Sequence, residues 1–172
     1  WTSVEIKEEP NHTLIAVLLF IIVLGFLLYF FRSYELKKKI QKSTSDLSKL
    51  LKVFDEYVIA SETDLEGNIT YVSNAFCKIS GYSKKELLGK NHRIMKHPDS
   101  EPEIFKGLWE TIAAGKAWHG LVKNSKKDGG YYWVETVITQ DFDAFGRPFG
   151  YMAVRQDVTA EMELKEFSEN LG

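Results

Sequence analysis

Residues 13–31 form a run of nineteen residues without a single charge. As a helix rising 1.5 Å per residue the run spans roughly 28 Å, close to the ~30 Å hydrocarbon core of a bilayer. Arg32 ends it, and Lys37, Lys38, Lys39 and Lys42 follow, while the other flank sets Glu5, Glu8 and Glu9 against Lys7. Basic residues favour the cytoplasmic side, so the expected topology is a single pass through the inner membrane, N-terminus outside and the bulk of the chain in the cytoplasm. Tyr29, Phe30 and Phe31 stand where an interfacial aromatic belt would form. A signal peptide is the competing reading; the length of the run, the basic residues after it and the lack of a small-residue cleavage site oppose it. The expected division is an extracytoplasmic stub (1–12), a transmembrane helix (13–32), an amphipathic linker helix (33–54), a soluble domain (55–159) and the start of an output helix (160–172). With no initiator Met and an uncapped charged end, the sequence reads as a piece of something larger.

Beyond the span, Leu36, Ile40, Ser43, Leu47, Leu50 and Phe54 recur at alternating spacings of four and three, a heptad seam with one polar member. It fits a helix that pairs with its copy in a homodimer, and equally one amphipathic helix packed on its own domain. Ser43-Thr44-Ser45-Asp46 offers a place to break the helix and cap a new one. The net charge of −2 gives no reason to expect a nucleic-acid partner. Cys77 is the lone cysteine, which excludes an internal disulfide and fits a reducing compartment.

From residue 57 the texture changes. Residues 57–63 and 69–72 read as a hairpin around Leu65-Glu66-Gly67-Asn68. Residues 73–80 read as a short helix ended by Gly81 in a left-handed cap. Ser83-Lys84-Lys85-Glu86 is a capping box for a second short helix, closed by Gly89. A crowded polar stretch follows, GKNHRIMKHPD over residues 89–99. Ser100-Glu101-Pro102-Glu103 reads as another capping box, opening a helix with Ile104, Phe105, Leu108, Trp109 and Ile112 on one face. Three strands close the domain, at 118–124, 131–139 and 149–158. Strands and helices are segregated, which predicts an α+β fold with one five-stranded antiparallel sheet and short helices on one face.

This order resembles a PAS domain. The residues that carry the likeness are Thr63-Asp64 with Gly67-Asn68-Ile69, Asn74-Ala75-Phe76 with Ser80-Gly81-Tyr82, and Glu86-Leu87-Leu88-Gly89. Further on come Trp118 with Gly120, Asn124 with Lys127-Asp128-Gly129, Tyr132-Trp133-Val134, Gly150-Tyr151, and Arg155 with Asp157-Val158-Thr159. Within the family, His97-Pro98-Asp99 and Trp118-His119-Gly120 resemble the flavin-binding PAS domains of bacterial aerotaxis transducers. That resemblance implies non-covalent FAD and a report of redox state or oxygen to a C-terminal output domain of histidine kinase, diguanylate cyclase or chemotaxis type. Lys96 stands where the aerotaxis motif usually has Arg, and it lacks the planar fork. In the frame where light-sensing flavin domains place their reactive Cys, this chain has His92, so no cysteinyl adduct is expected.

The resemblance and strand alternation together nominate Ser61, Asn91, His92, Lys96, His97, Asp99, Trp118, Asn124, Tyr132 and Val134 as cofactor-binding residues. Asn124 shares a strand face with Trp118, Gly120 and Val122, and its amide both donates and accepts; otherwise it simply caps the turn at Lys126-Lys127. On the next strand, Tyr132, Val134, Thr136 and Ile138 are expected to line the same pocket. Trp118 is either a stacking wall or ordinary core, and Trp109 and Trp133 are assigned to packing. His97-Pro98-Asp99 has a structural alternative, since Asp99 or Ser100 would cap the next helix. His92, His97 and Asp99 match no closed zinc site. Haem, with His92, His97 or His119 as axial ligand, is a second cofactor option, and a cofactor-free relay that fills its own pocket is a third. No Walker loop, paired nucleophile and base, or cyclase motif is present, so a sensor is expected rather than an enzyme.

Overall fold

The computed structural model describes residues 12–171. The stub expected at 1–12 falls outside them except for His12. The chain divides into two compact units at Lys49 and Leu50. The first is most of one helix, α1 (His12–Tyr57), long and apolar enough to cross a membrane. No break occurs at residues 43–46. Thr44 Oγ1 donates back to the carbonyls of Ile40 and Gln41, both at 3.0 Å, so the hydroxyl is satisfied inside the helix and caps nothing new. The helix also takes Tyr57, which sequence patterning gave to a strand: Val58 N–H still donates to Phe54 O at 2.9 Å, and the first strand begins only at Ile59.

In the second unit, β1 (Ile59–Asp64), β2 (Ile69–Val72), β3 (Trp118–Ser125), β4 (Tyr131–Phe142) and β5 (Pro148–Asp157) form one antiparallel sheet, ordered β2-β1-β5-β4-β3. Between β2 and β3 run α2 (Asn74–Ser80), α3 (Lys84–Leu87), a 3-10 turn (His92–Met95) and α4 (Pro102–Ala113). Helix α5 (Thr159–Glu169) leaves the sheet after β5.

Local chemistry explains these boundaries. Ser73 Oγ accepts from Phe76 N–H and from Ala60 N–H, both at 3.0 Å, capping α2 and tying it to β1. Gly81 ends α2 at φ 76°, the left-handed conformation that suits glycine. The capping box at Ser83 forms, with Ser83 N–H donating to Glu86 Oε2 at 3.0 Å. The one read at Ser100 does not. Glu101 occupies the cap of α4, and Ser100 Oγ donates instead to Lys123 O on β3, a long-range partner that local spacing cannot reveal.

The polar stretch straps the site together. Gly89 N–H donates to Ile69 O and His92 N–H to Gly67 O, both at 2.8 Å, fixing one end to the β1–β2 hairpin. Lys96 bridges to Asn124 on β3 at the other end. Met95 is fully buried with Ile69, Val72, Phe76 and Leu87. Near the end of α1, Asp55 Oδ1 accepts from Tyr71 OH (2.9 Å), Asn74 N–H (3.2 Å) and Lys84 Nζ (3.2 Å), and Glu56 pairs with Lys78.

Candidate functional site

A cavity of about 360 Å³ opens between the inner face of the sheet, the strap and α4. That volume falls in the range of small-ligand sites, roughly 300–1,000 Å³. Strand alternation builds its floor: Ser61 and Thr63 from β1, Val122 and Asn124 from β3, Thr136 and Ile138 from β4, Tyr151, Ala153 and Arg155 from β5. Phe105, Leu108, Trp109 and Ile112 of α4 form the apolar wall. Gly67, Asn91, His92, Arg93 and Lys96 complete it from the hairpin and strap.

Of the nominated residues, Ser61, Asn91, His92, Lys96 and Asn124 line this cavity. The others do not. Tyr132 and Val134 are fully buried in a core cluster with Val122, because Phe105, Ile79 and Trp118 close over them. Trp118 lies flat over its own strand: a Cβ on Gly120 would come within 2.6 Å of the indole. The ring therefore bridges two core clusters instead of facing the cavity. His97 and Asp99 lie outside it. His97 Nδ1 accepts from Asp99 N–H at 3.2 Å, its ring meets Tyr131 edge-on at 6.0 Å, and the Asp99 carboxylate pairs with Lys123 at 3.6 Å. Neither Asp99 nor Ser100 caps α4.

Trp109, assigned to packing from its place on a helical stripe, lines the cavity while 42% exposed. A Cβ on Gly67 would come within 3.2 Å of its indole, which meets Tyr151 edge-on at 5.7 Å. Arg155 and Thr136 are polar lining residues outside the nominated set. Alternation along β4 puts Thr136 on the pocket face, whereas the sequence offers Arg155 only as part of a motif, and its burial and long-range partners have no local signature.

The chemistry of the walls is uneven. Asn91 is occupied: its Nδ2 donates to Glu66 O at 2.9 Å and its Oδ1 accepts from Arg93 Nε at 2.9 Å. Asn124, 4% exposed, stands opposite Tyr132 in the strand pair, and the Tyr132 hydroxyl is buried without a partner at hydrogen-bonding geometry. Burial pushes Tyr132 up to about 12. Thr136 Oγ1 is buried without a partner. His92 Nε2 lies 3.0 Å from Arg155 Nη2 and 3.5 Å from Ser61 Oγ. A guanidinium only donates, so Nε2 is the acceptor and the imidazole is neutral. Burial, then the Arg155 charge, push His92 down to about 3.

A sequence profile described as the PAS fold matches residues 69–155, just over half of the 172 residues. The chain belongs to the PAS family. Its PAS domain is similar to the aerotaxis receptor of Escherichia coli K12, 36% identical over 107 residues, covering 62% of this chain and 21% of that one. It is 34% identical over 113 residues to the nitrogen fixation regulatory protein of Klebsiella pneumoniae, covering 66% and 23%. The chain thus spans about a fifth of the length of these relatives. Among solved structures, the PAS domain superposes on an RNA-binding light-oxygen-voltage receptor with TM-score 0.63 and 26% identity, over 74% of this chain and 38% of that one. It shares the fold of a light-oxygen-voltage domain studied with a flavin analogue, with TM-score 0.60 and 23% identity over 72% and 96%.

Proposed function

We propose that this PAS domain binds a flavin, specifically FAD, and reports redox state or oxygen as the input module of a membrane-anchored bacterial signal transducer. The cavity carries the reading. Its α4 wall is apolar, and the sheet sets polar groups against it, among them the Asn124 carboxamide and the Thr136 hydroxyl, whose Oγ1 has no partner. An isoalloxazine asks for flat apolar surfaces and a few donors and acceptors at one edge. The names of the aerotaxis and light-oxygen-voltage relatives point the same way.

A bound flavin would supply a redox-active ring whose hydrogen-bonding edge differs between oxidation states. Asn124 would orient that edge, Phe105, Leu108 and Ile112 would exclude water, and Arg93 and Lys96 at the exposed strap would meet phosphates. Phe76 packs edge-on to His92 at 5.8 Å and lies 5.2 Å from the Arg155 guanidinium. It rides on α2, whose Asn74 N–H binds Asp55 at the end of α1. On the output side, Trp133 N–H donates to Thr159 Oγ1 at 3.0 Å, holding α5 to β4. In this reading wall movements reach α1 through Asp55 and α5 through Thr159. The helix α1 would anchor the protein in the inner membrane and pair in a homodimer, α5 would lead to the output domain, and the flavin would be a reporter rather than a catalyst.

Two other occupancies fit less well. A relay that fills its own pocket leaves the 360 Å³ unexplained. Among the described residues the cavity offers haem no free axial ligand: His92 Nε2 faces a guanidinium, and His97 and His119 lie outside the lining, His119 paired with Glu135 at 3.1 Å. The absorption spectrum of the purified protein decides. Flavin bands with extractable FAD support the proposal, whereas a Soret band, or a colourless protein that takes up no added FAD, overturns it.

A further inference from the structure

The inner wall of the cavity holds a charge with no counter-charge. Arg155 is 8% exposed. Its guanidinium donates to Ser61 Oγ at 2.9 Å, to Ala153 O at 3.4 Å and to His92 Nε2 at 3.0 Å, all neutral acceptors. Among the described residues no carboxylate pairs with it. Burial lowers its own pKa to about 10, a direction that an adjacent carboxylate would oppose. The cavity lining as a whole repeats the imbalance: it includes Arg93, Lys96 and Arg155 but no Asp or Glu. Directly across the β4–β5 register from Arg155 stands Thr136, whose buried hydroxyl has no partner.

An unpaired buried cation is costly, and an anion placed beside it relieves that cost. We propose that Arg155, with Thr136 beside it, is a charge-selecting residue that makes the inner end of the cavity hold the anionic form of its ligand more tightly than the neutral form. This rests on the flavin reading. The oxidised ring is neutral, and two electrons with one proton from solvent convert it to a reduced ring bearing one negative charge. Arg93 and Lys96 are exposed, so salt screens them, while the buried Arg155 is screened far less.

The test is a dye-coupled titration of the full chain in detergent, loaded with FAD and reduced by dithionite, a low-potential sulfur-based electron donor, at low and high salt. The wild type is expected to bind reduced FAD at least tenfold more tightly than oxidised FAD. For a two-electron couple this places its midpoint about 30 mV or more above that of free FAD. R155Q should lose this preference, R155K should keep most of it, and salt should move it little. A wild-type midpoint at or below that of free FAD overturns the inference, as does an unchanged midpoint in R155Q. If R155Q does not fold, the wild-type and R155K midpoints decide. Failure of the wild type to bind FAD removes the flavin reading and this inference together. Binding without a preference for the reduced form removes this inference alone.

Discussion

The two halves of the strap have similar compositions and opposite placements. Asn91 and His92 face the cavity, held by the β1–β2 hairpin behind them, and His92 meets the buried Arg155. Six residues on, His97, Pro98 and Asp99 form a surface turn that satisfies itself, through Asp99 N–H to His97 and the Asp99 carboxylate to Lys123. The 3-10 turn between them buries Met95 and so sends the two polar groups to different sides of the chain. Residue type therefore did not assign the role here. The partner each histidine found did: a cation for His92, a backbone amide for His97.

The largest expected contrast is in ligand retention. Asn124→Ala removes the carboxamide proposed to orient the flavin edge, at ~1–3 kcal/mol for an unmatched polar group. FAD affinity, measured by titration, should fall by roughly 5- to 150-fold, whereas His97→Ala should leave it unchanged. Equal losses in both would erase the distinction between the halves.

Stability gives the next test. His92→Phe strips Arg155 of an acceptor, and chemical denaturation should register a loss of ~1–3 kcal/mol. His97→Ala removes one surface hydrogen bond and an edge contact, worth about 1 kcal/mol or less. A reversed order would mean that the surface turn, not the cavity wall, holds the strap.

The pH dependence sharpens the contrast further. The folded-state pKa of His92 lies near 3 against an ordinary 6.5, so the unfolded chain binds the extra proton between those values. The stability contributed by neutral His92 is complete above pH 6.5 and is lost as the pH falls toward 3. His92→Asn retains an acceptor but does not titrate, so wild type should lose ground to it as the pH drops below 6.5 in urea titrations. A constant difference across that window would contradict a neutral His92 held by Arg155. The smallest effect belongs to Asp99→Asn, which removes an exposed pair with Lys123 and should cost about 0–1 kcal/mol with FAD content unaltered.

Much of the fold was legible because its signals are local. Gly81, Ser73 and the Ser83 box set helix ends through contacts within a few residues. Alternation in β3 to β5 also placed Asn124 on the inner face. The cavity's membership was less legible. Ser100 and Ser83 carry the same spacing to a Glu, yet Ser100 is diverted by a carbonyl twenty-three residues away. Tyr132 and Val134 share the inner face with Thr136, but side chains from α2 and α4 bury them beyond the cavity edge. Trp109 sits on the same stripe as Leu108 and Ile112, and only the approach of Gly67 turns it into a wall. Arg155 is a charge inside a strand whose burial depends on Ser61, ninety-four residues away.

Hydrogen–deuterium exchange of the whole chain with and without added FAD tests the central claim most directly, that a flavin occupies the cavity behind the first half of the strap. The account predicts new protection at Asn91 and His92, at Asn124 and around Arg155, with residues 97–99 exchanging as before. Protection centred on residues 97–99, or none anywhere on the inner sheet face, would contradict it.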